Sequence, residues 1–202
     1  MRLPALLWAV ILPSAAAADR LIDIPTASKL PFGDLRLEYA DETSGGRTQL
    51  GWLEAGISTS FEAELRTEQY SGRSLDGTFD ISYVYISPLA DISPGLAAGV
   101  QDVLGTTVDG RRYYMCATFR NSVEAIGGEY PSDITLGFYL GAHPSPFVGT
   151  SIPFSSNFRL LAEHDGIRIS AGFEYSPIRA TALRLLVRGQ DILADVSFRG
   201  RF

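Results

Sequence analysis

The sequence predicts an all-β fold: a closed antiparallel up-and-down transmembrane β-barrel of about twelve strands, with ten as the alternative, after a cleaved signal peptide. Three observations carry that expectation. An apolar leader opens the chain, two-residue alternation recurs through most of the remaining residues, and the final strand-like run ends on an aromatic residue.

The leader begins with the positive Met1-Arg2, and Ala5 to Leu12 is an apolar stretch too short to span a bilayer as a helix. Pro13-Ser14 then leads into four alanines, and Ala16-x-Ala18 marks cleavage before Asp19. The expected organisation is a secretory signal peptide over 1–18, an extended N-terminal lead-in over 19–33, and the barrel over 34–202. Pro25 and Pro31 suit the lead-in, because neither can donate to a strand ladder.

The strands come in order. Leu35, Leu37 and Tyr39 alternate with Arg36 and Glu38, and Phe61, Ala63 and Leu65 with Glu62, Glu64, Arg66 and Glu68. Phe79, Ile81, Tyr83 and Tyr85 share a face opposite Asp80 and Ser82, and Tyr113, Met115 and Phe119 oppose Arg112, Tyr114 and Arg120. Ile134, Leu136, Phe138 and Leu140 oppose Asp133, Thr135 and Tyr139, with the weakest strand near Phe147–Ile152. Ile169, Ala171, Phe173 and Tyr175 oppose Arg168, Ser170 and Glu174, and Leu183, Leu185 and Val187 oppose Arg184 and Arg188. Turn signals separate these runs at Ser44-Gly45-Gly46, Ser71-Gly72, Asp76-Gly77, Asp109-Gly110, Gly127-Gly128, His143-Pro144, Asp165-Gly166 and Ser176-Pro177. The last run, from Ile192 to Phe202, keeps Ile192, Ala194, Val196, Phe198 and Phe202 on one face. Phe198 and Phe202 are thus the expected signal to a barrel-assembly machinery.

Composition narrows the function classes. The 202 residues carry a formal charge of −6, one Cys and two His, which excludes a disulfide framework and argues against a nucleic-acid surface. Alternation alone fits a soluble sandwich, a soluble ligand-binding barrel or an outer-membrane barrel. Runs of about nine to eleven residues suit a tilted crossing of a bilayer, and with the leader and the terminal Phe they favour the membrane barrel. The apolar set then faces lipid, with Tyr39, Tyr85, Tyr113, Tyr175 and Trp52 forming interfacial girdles.

The charged set points inward, where burial demands partners. Glu38, Glu54, Glu62, Glu64, Glu68 and Asp80 come from the first strands, together with Arg66. Arg112, Arg120, Arg159, Arg168, Arg184, Arg188 and Arg199 come from later ones, with Glu163 and Glu174 among them. Closure brings the two sets together across the lumen, Glu163 pairing with Arg159 or Arg168. All but one of the 17 basic residues are Arg, whose fork suits bidentate pairing with carboxylates, although genome composition explains the same bias.

Several stretches resemble the YjbH-like family of bacterial outer-membrane β-barrels, associated with exopolysaccharide gene clusters. They are Ile24-Pro25-Thr26-Ala27-Ser28, Pro31 to Leu37, Leu96 to Thr106 followed by Tyr113-Tyr114, and Leu160 to Gly166, where that family tends to carry an aromatic in place of His164. The resemblance implies a compact, barrel-only form and brings no catalytic residues.

Chemistry has little to rest on. His164-Asp165 beside Glu163 is the one acid–base cluster, a serine hydrolase would draw Ser170 or Ser197 to it, and no nucleophile-elbow pattern is present. Neither a cofactor nor a metal is expected, and Cys116 reads as an inward, unreactive thiol. The expected role is structural or envelope-associated, linked to exopolysaccharide production or export. The alternatives are a narrow porin-like solute channel, a soluble periplasmic ligand-binding barrel and a lipid-modifying barrel enzyme. Expected partners are outer-membrane lipid, the assembly machinery and polysaccharide, with no nucleic acid, for a monomeric protein.

Overall fold

Alternating side chains along a pleated chain make one apolar and one polar face per strand, and closing the sheet converts those faces into an outside and an inside. The computed structural model describes residues 20–43, 48–70, 75–108 and 110–202. The leader, Asp19 and the turn signals at Ser44-Gly45-Gly46, Ser71-Gly72 and Asp109 lie outside the described residues. Twelve strands succeed one another: β1 (Asp34–Glu42), β2 (Gln49–Gly56), β3 (Phe61–Gln69), β4 (Asp76–Ile86), β5 (Gly95–Gln101) and β6 (Arg112–Ala125), then β7 (Gly128–Leu140), β8 (Ser145–Pro153), β9 (Phe158–His164), β10 (Ile169–Ile178), β11 (Thr181–Arg188) and β12 (Asp191–Arg201). Each pairs antiparallel with its sequence neighbours, and β12 returns to β1 to close the barrel. That seam runs in unbroken register from Asp34↔Arg201 to Glu42↔Leu193.

The predicted faces hold. Leu37, Leu65, Phe138, Leu185 and Phe198 stand outside, 43–56% exposed, while Glu38, Glu64, Tyr139 and Arg184 point inside. Tyr85 and Tyr175 sit on the outer face toward the end that carries both Asp34 and Arg201, called here the terminal end. Tyr39 and Tyr113 sit toward the opposite, far end. Trp52 departs from the predicted girdle. It shares the inward parity of Leu50 and Glu54, is 4% exposed, and lies under the guanidiniums of Arg20 and Arg66 at 4.3 and 5.8 Å.

Two predicted turns also prove to be strand. Asp76-Gly77 opens β4 opposite Glu68 and Thr67, because β3 and β4 reverse earlier, between Gln69 and Asp76. Ser176-Pro177 lies inside β10, where the register shifts between Tyr175 and Ile178; the irregularity accommodates a proline that has no N–H to donate, and the chain reverses at Arg179-Ala180. The Asp165-Gly166 hairpin forms as predicted but uses four residues, with Gly166 at φ +95° and the Asp165 carboxylate accepting from the N–H groups of Ile167 (2.8 Å) and Arg168 (2.6 Å).

The lead-in is no external extension. It enters at the terminal end, where Gly33 N–H donates to Gly56 O (3.0 Å) and Phe202 N–H to Gly33 O (2.9 Å), and then runs up the inside of the barrel. At Ile22-Asp23 it reverses tightly, with Leu21 N–H donating to Ile24 O (3.0 Å) and Arg20 bridging back to Pro25. Leu21, Ile22, Ile24, Ala27 and Leu30 are all buried there.

Close packing of the inner face makes a test of its glycines. A Cβ on Gly137 would lie 2.1 Å from the Phe147 ring and 2.7 Å from Met115 O, and that ring packs against Tyr139 at a tilt, with centroids 4.5 Å apart. We expect Gly137→Val to destabilise the barrel by ~1–3 kcal/mol, the usual cost of overpacking. A lowered thermal transition by circular dichroism would register it; an unchanged one would mean that Phe147 swings aside freely.

Candidate functional site

The chemistry of the molecule is concentrated in the lumen, where the N-terminal segment meets charges from six strands. Arg20 is the centre of one cluster. Its Nε donates to Glu64 (3.2 Å) and its Nη2 to Glu38 (3.0 Å) and Glu54 (3.1 Å), while Nη1 donates to Ile22 O. Arg36 pairs with Glu38 and with Glu54 (3.3 Å), and Arg184 reaches Glu38 at 3.4 Å and Glu174 at 2.8 Å. Side chains of this group are almost fully buried, so losing one partner would leave an uncompensated charge at a cost of ~3–5 kcal/mol.

A second cluster sits at the tip of the segment. Asp23 accepts from Arg188 (2.6 Å) and Arg66 (3.4 Å), and Arg188 continues to Glu68 at 3.1 Å. Glu163 serves the backbone here. It accepts the N–H groups of Ile22 (3.0 Å), Asp23 (2.8 Å) and Ile24 (3.3 Å), so one carboxylate satisfies three donors of the reversal. Lower down, Ala27 N–H donates to Thr118 Oγ1 (2.8 Å), Arg120 reaches Ser28 (2.9 Å), and Leu30 N–H donates to Glu62 (2.6 Å).

The sequence-predicted residues thus divide. Arg188–Glu68 joins β11 to β3 across the interior as expected, while Arg184–Glu38 joins β11 to β1 over the intervening β12. The others find nearer partners: Arg112 donates to Gln101 (2.9 Å) and covers the Tyr139 ring at 4.1 Å, Arg120 forks onto Asp133 (2.7 Å), and Arg159 reaches Ser151 (3.4 Å). Asp80 accepts from Asp102 N–H (2.7 Å), and Arg199 pairs with Asp34 at the terminal rim (2.6 Å). Arg168 lies in the β9–β10 loop at the far mouth of the lumen, exposed, beside Asp165 at 3.6 Å, and lines the cavity there. Glu163 pairs with neither Arg159 nor Arg168, because the backbone donors of the N-terminal segment occupy it.

No family model matches the chain, and no curated protein matches it.

The residues that sequence reasoning missed are Arg20 and Asp23, for which no periodicity exists in so short an irregular run, and Arg36, Asp133 and Asp195. The last three share the charged parity of their strands, which was the available signal. The acid–base set does not assemble: His164 is exposed and accepts from Gly166 N–H (3.0 Å), while Ser170 and Ser197 are buried on the inner face. Cys116 is likewise buried inside.

Above Asp23 the lumen opens at the far end into a polar cavity of about 300 Å³, lined by Arg66, Glu68, Asp80, Gln101 and Arg112 among others. A cavity beside Arg20, lined also by Pro25 and Glu64, measures about 20 Å³. The rim of the cavity is held by Asp102, whose carboxylate accepts from Thr106 N–H (2.9 Å), Thr107 N–H (2.8 Å) and the Thr107 hydroxyl (2.6 Å). Burial pushes the Asp102 carboxyl up, but these bonds outweigh it and hold it at about 2.

This geometry gives two tests. Removing the carboxylate in Glu163→Ala leaves three N–H donors without their acceptor at ~1–3 kcal/mol each, so the reversal loosens. Trypsin should then cut after Arg20 and Lys29 at a rate at least tenfold that of the parent, read by mass spectrometry, with the barrel uncut; equal protection would show that Glu163 does not hold the segment. For Asp102, a depressed pKa means stabilisation that is complete above the ordinary carboxylate value of about 4 and lost as pH falls through about 2. An NMR titration of the Thr107 amide should therefore have its midpoint near 2, and a midpoint near 4 would contradict the loop geometry.

Proposed function

We propose that this chain is a bacterial outer-membrane β-barrel, closed by its own N-terminal segment, with a structural role in an envelope that produces or exports exopolysaccharide. The observation that carries the membrane reading is the distribution of polarity around a complete barrel. Large apolar side chains, including Leu37, Leu53, Leu65, Leu136, Phe173 and Leu185, stand 40–56% exposed on strand after strand, while the ion pairs are inside. Water does not sustain an apolar surface of that extent, whereas hydrocarbon does, and a closed sheet is the strand architecture whose backbone is fully paired there. No helix among the described residues is long and apolar enough to cross a membrane.

The filled lumen argues for a structural rather than a permanently open barrel. Among the described residues the one sizeable lumen cavity is polar, which does not suit the apolar ligand of a soluble binding barrel. The exopolysaccharide link rests on the resemblance of the lead-in and of the β5 and β9 stretches to YjbH-like barrels. The last strand, with Phe198 on its outer face and the exposed Phe202 directly after it, fits the role of the assembly signal.

Fractionation decides the location. The protein should sediment with outer membrane, resist urea extraction, and migrate faster on gels before heating than after; release without detergent would end the reading. Deleting Phe202 should lower the heat-shifted form severalfold while leaving synthesis unchanged. A deletion strain with undiminished exopolysaccharide would remove the envelope-polymer role while leaving the barrel itself in place.

A further inference from the structure

The lumen wall is shaped around the segment that fills it. A Cβ on Gly149 of β8 would lie 2.5 Å from Ile24 Cδ1 and 2.6 Å from Leu21 Cδ2. One on Gly95 of β5 would meet Pro88 Cδ at 2.5 Å and Ala27 Cβ at 2.9 Å, and one on Gly56 of β2 would meet Leu30 O at 2.9 Å and Pro31 O at 2.2 Å. Three separated strands therefore omit side chains along one track. The segment itself adds no strand to the sheet, whose ladder closes from β1 to β12 without it. It is held by side chains: three carboxylates on Arg20, the Glu163 clasp, the Asp23–Arg188 pair and the Thr118, Arg120 and Glu62 contacts.

We propose that residues 20–32 are a displaceable plug and that the lumen they vacate is a passage for small inorganic cations. This rests on the outer-membrane reading. The track is continuous. It runs from Glu62 at the terminal end to Glu163 near the far end, and the far-end cavity of about 300 Å³ begins where Asp23 stops. Withdrawal of the segment joins that cavity to the opposite mouth by a channel as wide as an extended polypeptide. Twelve strands suit this, lying between the eight that side chains alone can fill and the sixteen or more of open porins.

Charge sets the selectivity. The side of the track formed by β1 to β3 presents Glu38, Glu54, Glu62 and Glu64 against Arg36 and Arg66, and the other strands add Arg120, Arg184 and Arg188 against Glu163, Glu174 and Asp195, so the wall stays net acidic. The plug carries Arg20 and Lys29 against Asp23, so its departure removes more positive than negative charge from the lumen. An acidic constriction concentrates cations and repels anions.

The test uses the full-length mature chain in planar bilayers under a KCl gradient. Gly149→Leu puts bulk where Ile24 and Leu21 sit without touching an ion pair, and Arg20→Glu sets a fourth carboxylate among three. The parent should be silent, and both variants should give discrete steps whose reversal potential reports K⁺ over Cl⁻ by at least threefold. Heat-shift gels and flotation with liposomes establish that each variant is a folded, inserted barrel. Inserted variants that stay silent, or steps that favour Cl⁻, would overturn the passage, and a parent that conducts like the variants would overturn the plug. Folded protein that fails to float with liposomes would end the membrane reading and the passage together.

Discussion

A closed sheet has one interior, and every charge that strand parity sends there must be neutralised within it. The inner faces of β1 to β3 alone bring Glu38, Glu54, Glu62 and Glu64 into a space from which water is largely displaced. Arg36 and Arg184 answer part of that charge from the wall. Arg20 answers more of it from outside the sheet, since its planar fork can address several carboxylates at once. The position of the N-terminal segment, the narrowness of the lumen and the closure of the terminal end all depend on that neutralisation.

The same segment solves a packing problem. Parity also sends Leu50, Trp52, Phe147, Leu186 and Leu193 inward, and a water-filled lumen would leave them wet. Leu21, Ile22, Ile24 and Ala27 pack into one cluster with them, so the interior is an apolar core and a charge network at once. Gly149, Gly95 and Gly56 make the necessary room. The interior thus resembles that of a soluble domain, while the outside carries the apolar surface that a soluble domain would hide.

Strand parity was legible because it is local. A two-residue period needs no knowledge of partners, and it placed Glu38, Arg184 and the Phe198 face correctly. Local turn chemistry was less dependable: Asp76-Gly77 and Ser176-Pro177 carry turn residues, yet strand pairing on both sides draws them into the sheet. Trp52 was misplaced because a general preference of Trp for membrane interfaces was set above the parity of its own strand, which pointed inward.

Individual pairs were not legible: parity sends acidic and basic side chains inward but names no partner, even for neighbours on adjacent strands such as Arg184–Glu174 and Arg120–Asp133. The partners that organise the lumen are distant in the chain: Arg188 with Asp23, Glu163 with the N–H groups of Ile22 to Ile24, Arg20 with Glu54. By itself the sequence determined an all-β chain, its strand count to within two and the side of the sheet on which most of the strand charges fall, because these depend on periodicity along a single strand. Which carboxylate meets which guanidinium, and that residues 20–32 lie inside the barrel rather than ahead of it, was decided only by closure. A lumen brings together side chains from every strand, and that proximity leaves no trace in local spacing.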